Sequence, residues 1–255
     1  MTNPTLNLIH THASCRHYKT DPLPAPLIET IVAAGQRAST SSNLQCYSVV
    51  AVTDAPKRAR LSELCDGQEH ITEAPLFLAF CADLSRLDRI CQSRGYSQVT
   101  NHIESFLVAT VDAALCAQNA SLAAESFGLG ICYIGSIRNN LPEVIELLEL
   151  PPLVLPITGM TIGWPEKPPK VKLRLPLRAV LHWEKYDSSC EDDALGEYDC
   201  ALIANGIYEG RQIPVPGKEL EMANYGWTEH SARRVSQAAR TELRAVIEKQ
   251  GFGLQ

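Results

Sequence analysis

Two short basic segments, far apart in the chain, carry the residues best suited to chemistry. His12, Ser14 and Arg16 alternate near the N-terminus, and Lys172 and Arg174 alternate much later. Lys172 and Arg174 alternate like one face of an extended segment, so both could point at one phosphate, whereas the Arg16 segment is predicted to be a turn or an extended stretch. Cations and hydroxyl groups that converge on a phosphate dianion give it charge-assisted hydrogen bonds. The two segments therefore predict a phosphate-bearing cofactor.

Each of these residues also has an ordinary structural interpretation. Arg16 could pair with a surface carboxylate such as Asp21, which would contribute little to stability. Lys172 and Arg174 could form a solvated basic stretch, as most short charge runs do. His12 could be a structural histidine. From the residues alone, these alternatives stay open.

Composition narrows the class of protein. The chain has 255 residues, of which 45% are hydrophobic and 20% charged, and its formal net charge is -6. This is enough apolar material for a sizeable core, and the acidic balance argues against a general nucleic-acid binder. The strongly apolar stretch at residues 153–164 is too short to span a bilayer, and no signal peptide is visible. We therefore expect a cytoplasmic protein with no membrane or nucleic-acid partner.

The nine cysteines are scattered along the chain. Their number is odd and no two of them form a C-x-x-C motif. A disulfide framework or a metal site would show tighter pairing. We therefore expect reduced, mostly buried thiols and no metal site, which argues against a thiol or metal protein.

Helices and strands alternate without the regularity of a doubly wound fold, which favours an α+β fold with a mixed sheet. Helices are predicted from Asn3-Pro4, at residues 26–37, after Asp54, and at 102–127, 140–150, 191–204 and 229–249. Strands are predicted at residues 45–53, 76–82, 131–135, 155–164 and 179–183. Polar loops are predicted at residues 39–43, 67–70 and 207–223.

The segment at residues 102–127 is the longest predicted helix. It lacks Pro and Gly and ends at Gly128, a natural residue for a helix C-terminus. Its polar residues are too sparse for a fully wetted face, so we expect a central helix that is buried on most sides. Such a helix could also form a subunit contact.

The ordered motifs resemble the flavin-dependent nitroreductase superfamily, and its branch of oxygen-insensitive NADPH nitroreductases and NADPH–flavin oxidoreductases. The resemblance covers residues 5 to about 186. The matching motifs are His12-x-Ser14-x-Arg16, Ser39-Thr40-Ser41-Ser42-Asn43-Leu44-Gln45, Gly67-Gln68, Ala123-Ala124-Glu125-Ser126-Phe127-Gly128-Leu129-Gly130, Tyr133-Ile134-Gly135-x-Ile137-Arg138-Asn139-Asn140, Gly163-Trp164-Pro165 and Lys172-x-Arg174-Leu175-Pro176.

The resemblance implies a nitroreductase-like fold. This fold has a central mixed or antiparallel sheet flanked by helices, a long buried central helix, and an interlocked homodimer with FMN at the subunit interface. It also implies an FMN-binding core at residues 1–186 and a C-terminal extension at 187–255, a loop and helix that pack on the core or on the partner subunit.

The resemblance assigns roles to individual residues. His12, Ser14, Lys172 and Arg174 would bind the flavin phosphate, and Arg16 would lie near the pyrimidine edge of the ring. The remaining flavin contacts would come from Gln68, from the backbone at Tyr133, Ile134, Gly135 and Ser136, and from Ser39, Thr40 and Ser41 of the partner subunit.

These further contacts have structural alternatives too. The polar loop at residues 39–43 could serve only as a loop and helix cap, and Tyr133 could be an ordinary core residue. Two departures from the family pattern also stand out. Ala13 occupies a position where members often carry a second Arg. The region that recognises NADPH aligns poorly, and Arg211 and Lys218 are its weak candidates.

No residue resembles a protein nucleophile, and in this family the cofactor does the chemistry. A guanidinium beside the N1 and C2=O edge favours the reduced flavin, and this role suits Arg16. We therefore expect an NAD(P)H oxidoreductase that reduces nitroaromatics, quinones or similar small acceptors in a two-electron ping-pong cycle, with NADPH as donor and NADH possible. The alternatives are an NADPH–flavin reductase that supplies free reduced FMN, and a non-catalytic flavin-binding protein.

Overall fold

The computed structural model describes residues 3–219 and 224–255 of the chain. The chain folds into two compact units, each described below by itself. The first unit comprises residues 3–171 together with residues 242–255. The second unit comprises residues 172–241.

The first unit holds most of the regular structure. Its elements are α1 (Pro4–His10), α2 (Ala25–Gly35), β1 (Tyr47–Val52), α3 (Ala55–Leu64), α4 (Glu69–Glu73), β2 (Leu76–Asp83), α5 (Ser85–Ser93), α6 (Ile103–Ser126), β3 (Gly130–Ile134), α7 (Leu141–Leu147) and β4 (Val154–Gly163). The second unit contains α8 (Glu191–Ala204) and α9 (Trp227–Val235), and α10 (Leu243–Lys249) returns to the first unit.

The four strands form one sheet in the order β1-β2-β4-β3, and all neighbours are antiparallel. All residues of β2 are buried, because apolar clusters cover both faces of the sheet. Leu78 and Phe80 face the cluster that contains α6, whereas Phe77 and Ala79 face the opposite cluster. The α+β prediction is confirmed, and the sheet is antiparallel.

Two predicted helix starts are made by their expected caps. The Asn3 carboxamide oxygen accepts the Leu6 amide at 2.9 Å, and Pro4 follows in the first turn. The Asp54 carboxylate accepts the Lys57 amide at 2.8 Å. Each cap satisfies an amide that has no partner within its helix, so these two helices begin where the sequence predicts.

Helix α6 is the predicted central helix. It ends in a Schellman motif: Gly128 adopts a φ of 77°, its amide donates to the Glu125 carbonyl at 2.9 Å, and the Leu129 amide donates to the Ala124 carbonyl at 3.2 Å. By length and apolar composition alone α6 could span a membrane, but it packs against α2 and β2 in the core. One face of α6 is buried and the opposite face is exposed, so its burial is one-sided in this chain.

The structure departs from the predicted elements in four places. Helix α5 was not predicted, and α4 occupies part of the segment expected to be a polar loop at 67–70. The strand predicted at 179–183 is wrong: a 3-10 turn (Leu177–Ala179) stands there, and the segment pairs with no strand of the described chain. The single helix predicted at 229–249 is wrong, because α9 and α10 are separate helices and Arg240 between them has a φ of 54°.

The second unit confirms the predicted helix at 191–204 as α8. The loop predicted at 207–223 is irregular through residue 219, and residues 220–223 lie outside the described residues. All nine cysteines lie in described segments as free thiols, and six of them are buried, as the composition indicated.

Candidate functional site

The predicted phosphate-binding segment lies against the sheet. The Cys15 amide donates to the Ile131 carbonyl of β3 at 2.8 Å, and the Tyr18 hydroxyl donates to the Cys15 carbonyl at 2.8 Å. The contact requires Gly130, because a Cβ there would come within 2.5 Å of the Cys15 Cβ. The backbone of this segment is therefore held in an extended form beside β3.

Successive side chains of this extended segment lie on opposite sides of it. Ala13 and Cys15 are buried, whereas His12 and Ser14 are half-buried and Arg16 is exposed. Side chains at alternate positions of an extended segment share a face, so His12, Ser14 and Arg16 stand on the face opposite the core. The structure thus brings these three predicted residues together.

His12 is held by a carboxylate from the last turn of α6. Its Nδ1 lies 2.6 Å from the Glu125 Oε1. Glu125 is only 11% exposed, and its second carboxylate oxygen is buried with no hydrogen-bond partner in the described structure. The sequence placed Glu125 in a family motif without giving it a role at the site.

A second cluster forms where β3 ends. The Gln68 side-chain amide donates to the Ser136 hydroxyl at 2.5 Å and to the Cys65 carbonyl at 3.0 Å. The Ser62 hydroxyl donates to the Gln68 carbonyl at 2.8 Å, which fixes the backbone of the residue as well. Ile134 ends β3, and a 3-10 turn (Gly135–Arg138) follows it. The predicted ring contacts, Gln68 and the backbone at 133–136, therefore lie side by side.

His70 follows Gln68 by two residues and interacts electrostatically with Arg16 and His17, and the sequence analysis gave it no role at the site. Burial, and then the positive charges of Arg16 and His17, lower the pKa of His70 from its usual value to about 4. The imidazole is therefore neutral at neutral pH. Its Nε2 is buried with no hydrogen-bond partner in the part of the chain that the structure describes. A polar residue two positions after Gln68 was the only signal in the sequence.

Tyr133 lies between the end of α6 and the sheet. Burial, and then the charge of Glu125, raise the pKa of its phenol. Its hydroxyl lies 3.5 Å from the Gln118 side-chain oxygen of α6. The side chain is therefore neutral and half-buried, and the role of the backbone at this position stays a prediction.

Ser39, Thr40 and Ser41 are anchored elsewhere, at the middle of α6. The buried Asp112 carboxylate accepts the Ser41 amide at 3.1 Å and the Cys46 amide at 3.0 Å. Between these two amides the chain carries positive φ angles at Ser42, Asn43 and Gln45. The Ser41 amide thus anchors the loop to α6.

An open cavity of about 400 Å³ lies beside this loop. Its walls are the three hydroxyl residues and the exposed side of α6, including Leu107, Val111 and Leu115. The arrangement is an apolar floor with a hydroxyl-bearing rim. The loop thus stands at a surface of α6 that this chain leaves uncovered.

The remaining predicted residues belong to the second unit. Lys172 and Arg174 are exposed in an irregular segment, where the Arg174 guanidinium donates to the Lys172 and Leu173 carbonyls, each at 3.3 Å. Arg211 and Lys218 are also exposed. The predicted convergence of Lys172 and Arg174 on a phosphate with His12 stays a prediction, as does nicotinamide-cofactor binding by Arg211 and Lys218.

Comparisons with known proteins agree with the fold and the motifs. The model of the nitroreductase family matches residues 9–164, and the model of the family's C-terminal domain matches residues 172–255. The chain is 38% identical to an FMN reductase (NADPH) of Bacillus subtilis strain 168, and the alignment covers 98% of both proteins. It is 36% identical to the oxygen-insensitive NADPH nitroreductase of Salmonella typhimurium, again over 98% of both.

A solved structure gives the same result. The NADPH:FMN oxidoreductase from Vibrio harveyi, complexed with NAD+, superposes with a TM-score of 0.86 at 32% identity, over 99% of this chain and 100% of that one. The family predicted from the ordered motifs is therefore confirmed. This chain belongs to the nitroreductase family.

Proposed function

We propose that the chain is an FMN-dependent NADPH oxidoreductase that reduces nitroaromatics, quinones or similar small acceptors by two-electron transfer. The observation that carries this proposal is the full-length similarity to relatives named as an NADPH-dependent FMN reductase and an oxygen-insensitive NADPH nitroreductase. The local geometry of the first unit supports it independently.

The residues of the first unit fit FMN in their chemistry. A phosphate needs hydrogen-bond donors, and the face formed by His12, Ser14 and Arg16 supplies a ring nitrogen, a hydroxyl and a guanidinium. A flavin ring edge needs donors and acceptors in one plane, and Gln68 lies beside the backbone at 135–136. The buried Nε2 of His70 has no protein partner in the described chain, as expected beside a polar ligand.

When bound, FMN supplies hydride acceptance from NADPH and two-electron delivery to the acceptor. The chain binds and orients it. Arg16 places a positive charge that favours the reduced form of the ring, and Gln68 is held for ring contact by Ser136 and Cys65. The Cys15 and Tyr18 hydrogen bonds keep the phosphate-binding segment extended. No side chain is required to act as a nucleophile.

We propose that the active form is a homodimer. Ile103, Leu107, Val111 and Leu115 recur at every fourth residue of α6 and are 43% to 54% exposed. A stripe of this kind is typical of an interface rather than of a free surface. Ser39, Thr40 and Ser41 border the same surface of α6, which supports the proposal that they approach a flavin of the partner subunit. We also propose a cytoplasmic location, in keeping with the nine free cysteines, because reducing compartments keep thiols reduced.

The test is spectroscopic. The purified chain should be yellow, and NADPH added without oxygen should bleach its flavin absorbance. A colourless protein that takes up no FMN in excess would contradict the proposal. A yellow protein that NADPH cannot bleach would instead favour a non-catalytic flavin-binding protein. Light scattering on the same sample tests the homodimer.

One alternative is favoured by a specific observation, because the Bacillus subtilis relative is named an FMN reductase. The chain could supply free reduced FMN to another enzyme while it uses the same flavin site. Steady-state rates with nitrofurazone and with free FMN as acceptors separate the two functions.

Arg211→Ala and Lys218→Ala variants, compared by their KM for NADPH and NADH, test the two candidate residues for the nicotinamide cofactor. FMN titrations of Lys172→Ala and Arg174→Ala variants test the remaining phosphate ligands.

A further inference from the structure

Several hydrogen bonds in the described structure join the predicted phosphate-binding segment to the core. The contact between His12 and Glu125 is the shortest of them. Its two atoms lie 2.6 Å apart, and the side chains are 27% and 11% exposed. An ionised carboxylate has only acceptor oxygens, so in this geometry Glu125 would accept a hydrogen bond from His12 Nδ1–H. The pair joins residues that are 113 positions apart, so only the tertiary fold creates it.

Glu125 stands at an unfavourable place for an acid. It lies in the last turn of α6, where the helix dipole favours cations and disfavours carboxylates. Its Oε2 is buried and has no hydrogen-bond partner in the described residues. A buried polar atom without a partner needs an explanation beyond packing. A positive charge on the neighbouring imidazole would compensate both the carboxylate and the end of the helix.

The geometry also decides which nitrogen of His12 faces outward. Nδ1 is occupied by Glu125, whereas no hydrogen bond engages Nε2 within the described chain. A phosphate offers only acceptor oxygens, so it requires an N–H on Nε2. A ring that donates to Glu125 through Nδ1 and to a phosphate through Nε2 carries a proton on both nitrogens, so His12 would bind the phosphate as an imidazolium.

We infer that Glu125 is a positioning residue, which orients His12 and holds it as the cation that binds the flavin phosphate. This inference rests on the proposed FMN site. Tyr133 is another ionisable neighbour of Glu125; burial raises the pKa of its phenol, so it stays neutral and does not compete for the role. Glu125 acts through His12 and does not itself contact the flavin.

The experiment uses two flavins that differ only in the phosphate. The chain is freed of flavin and titrated with FMN and with riboflavin, following flavin fluorescence. Glu125→Gln keeps the size of the side chain and an acceptor for Nδ1–H, but removes the charge. We expect FMN to bind about tenfold more weakly, because charge-assisted hydrogen bonds are roughly twice as strong as neutral ones, and riboflavin to bind as in the unmodified chain.

Two further variants complete the test. Glu143→Gln, at an exposed position of α7, is the matched control and should change neither affinity. In a His12→Asn background, Glu125→Gln should cause no additional loss of FMN affinity, because its effect passes through the imidazole. Thermal unfolding of each variant verifies that the fold is retained.

The outcomes are distinct. Equal weakening of FMN and riboflavin would show a merely structural role for Glu125 and overturn the inference. An unchanged FMN affinity, or an undiminished loss in the His12→Asn background, would overturn it as well. If the unmodified chain binds neither flavin, the proposed function itself fails, and this inference fails with it.

Discussion

Large and small apolar side chains lie on opposite faces of α6. The large ones, Leu107, Val111 and Leu115 among them, form the exposed stripe, whereas Ala113, Ala117 and Ala120 are fully buried. In the sequence the two faces are both apolar. The difference between them is side-chain size, because α2 and the sheet approach the buried face too closely for anything larger.

Gly35 shows how close that approach is. A Cβ at Gly35 would lie 3.0 Å from the Cys116 carbonyl oxygen and 3.4 Å from the Ala120 Cβ. Close-packed interiors do not adapt to added volume without strain. The buried face of α6 therefore requires side chains of small volume, whereas the exposed face carries large side chains that provide apolar area. Four substitutions test this division.

Val111→Glu addresses the exposed stripe and has the largest expected effect. In a homodimer, two carboxylates would be buried without partners, one from each copy. We expect the dissociation constant of the dimer to rise at least about a thousandfold, which corresponds to about 4 kcal/mol. Light scattering across a dilution series measures it. Val235→Glu, at an exposed position of α9, is the control, and a dimer that persists in Val111→Glu would exclude the stripe as the interface.

Ala120→Leu addresses the buried face. The added volume has no space between α6 and Gly35, so we expect the free energy of unfolding to fall by about 3 kcal/mol. Urea denaturation measures the change. Ala33→Leu, at an exposed position of α2, should change it by less than about 0.5 kcal/mol. If Ala120→Leu proved as harmless as Ala33→Leu, the volume argument would be wrong.

Asp112→Ala tests the one carboxylate that interrupts the buried face. Without it, the Ser41 and Cys46 amides lose their acceptor, and we expect a loss of about 2 kcal/mol in stability. The loop with positive φ angles should also open, so cleavage by a protease near residues 41–45 should become faster. Asp112→Asn keeps one acceptor oxygen and should show a smaller change. Protection from cleavage that stays unaltered in Asp112→Ala would speak against this anchoring role.

Ser121→Ala has the smallest expected effect and the opposite sign. The Ser121 hydroxyl is fully buried, and no partner for it exists in the described structure. Its removal relieves an unsatisfied polar group without changing the volume much, so stability should stay the same or rise by up to about 1 kcal/mol. Urea denaturation measures it. A clear loss of stability would reveal a hydrogen bond that the small-residue face depends on.

The elements with strong local signals were predictable. Asn3 and Asp54 cap their helices because each side-chain oxygen accepts a hydrogen bond from the backbone amide three residues further along the chain. Gly128 ends α6 because only a residue that tolerates positive φ closes the Schellman motif.

The errors share a different cause. The strand predicted at 179–183 has apolar residues but no partner strand among the described residues, and a strand needs a partner for its amides. The helix predicted at 229–249 was divided because α9 and α10 belong to different units. Neither fact is encoded within the segment concerned.

The sequence by itself determined the family, the order of the elements and the residue types that suit a flavin phosphate, since these depend on local pattern and on motifs in order. Only the tertiary structure decided that Glu125 meets His12, that His70 lies buried beside Arg16, and which side of α6 is left uncovered. These features depend on contacts between residues that are distant in the chain. Such contacts arise from packing, which depends on side-chain volumes and on the distances between elements rather than on local sequence pattern.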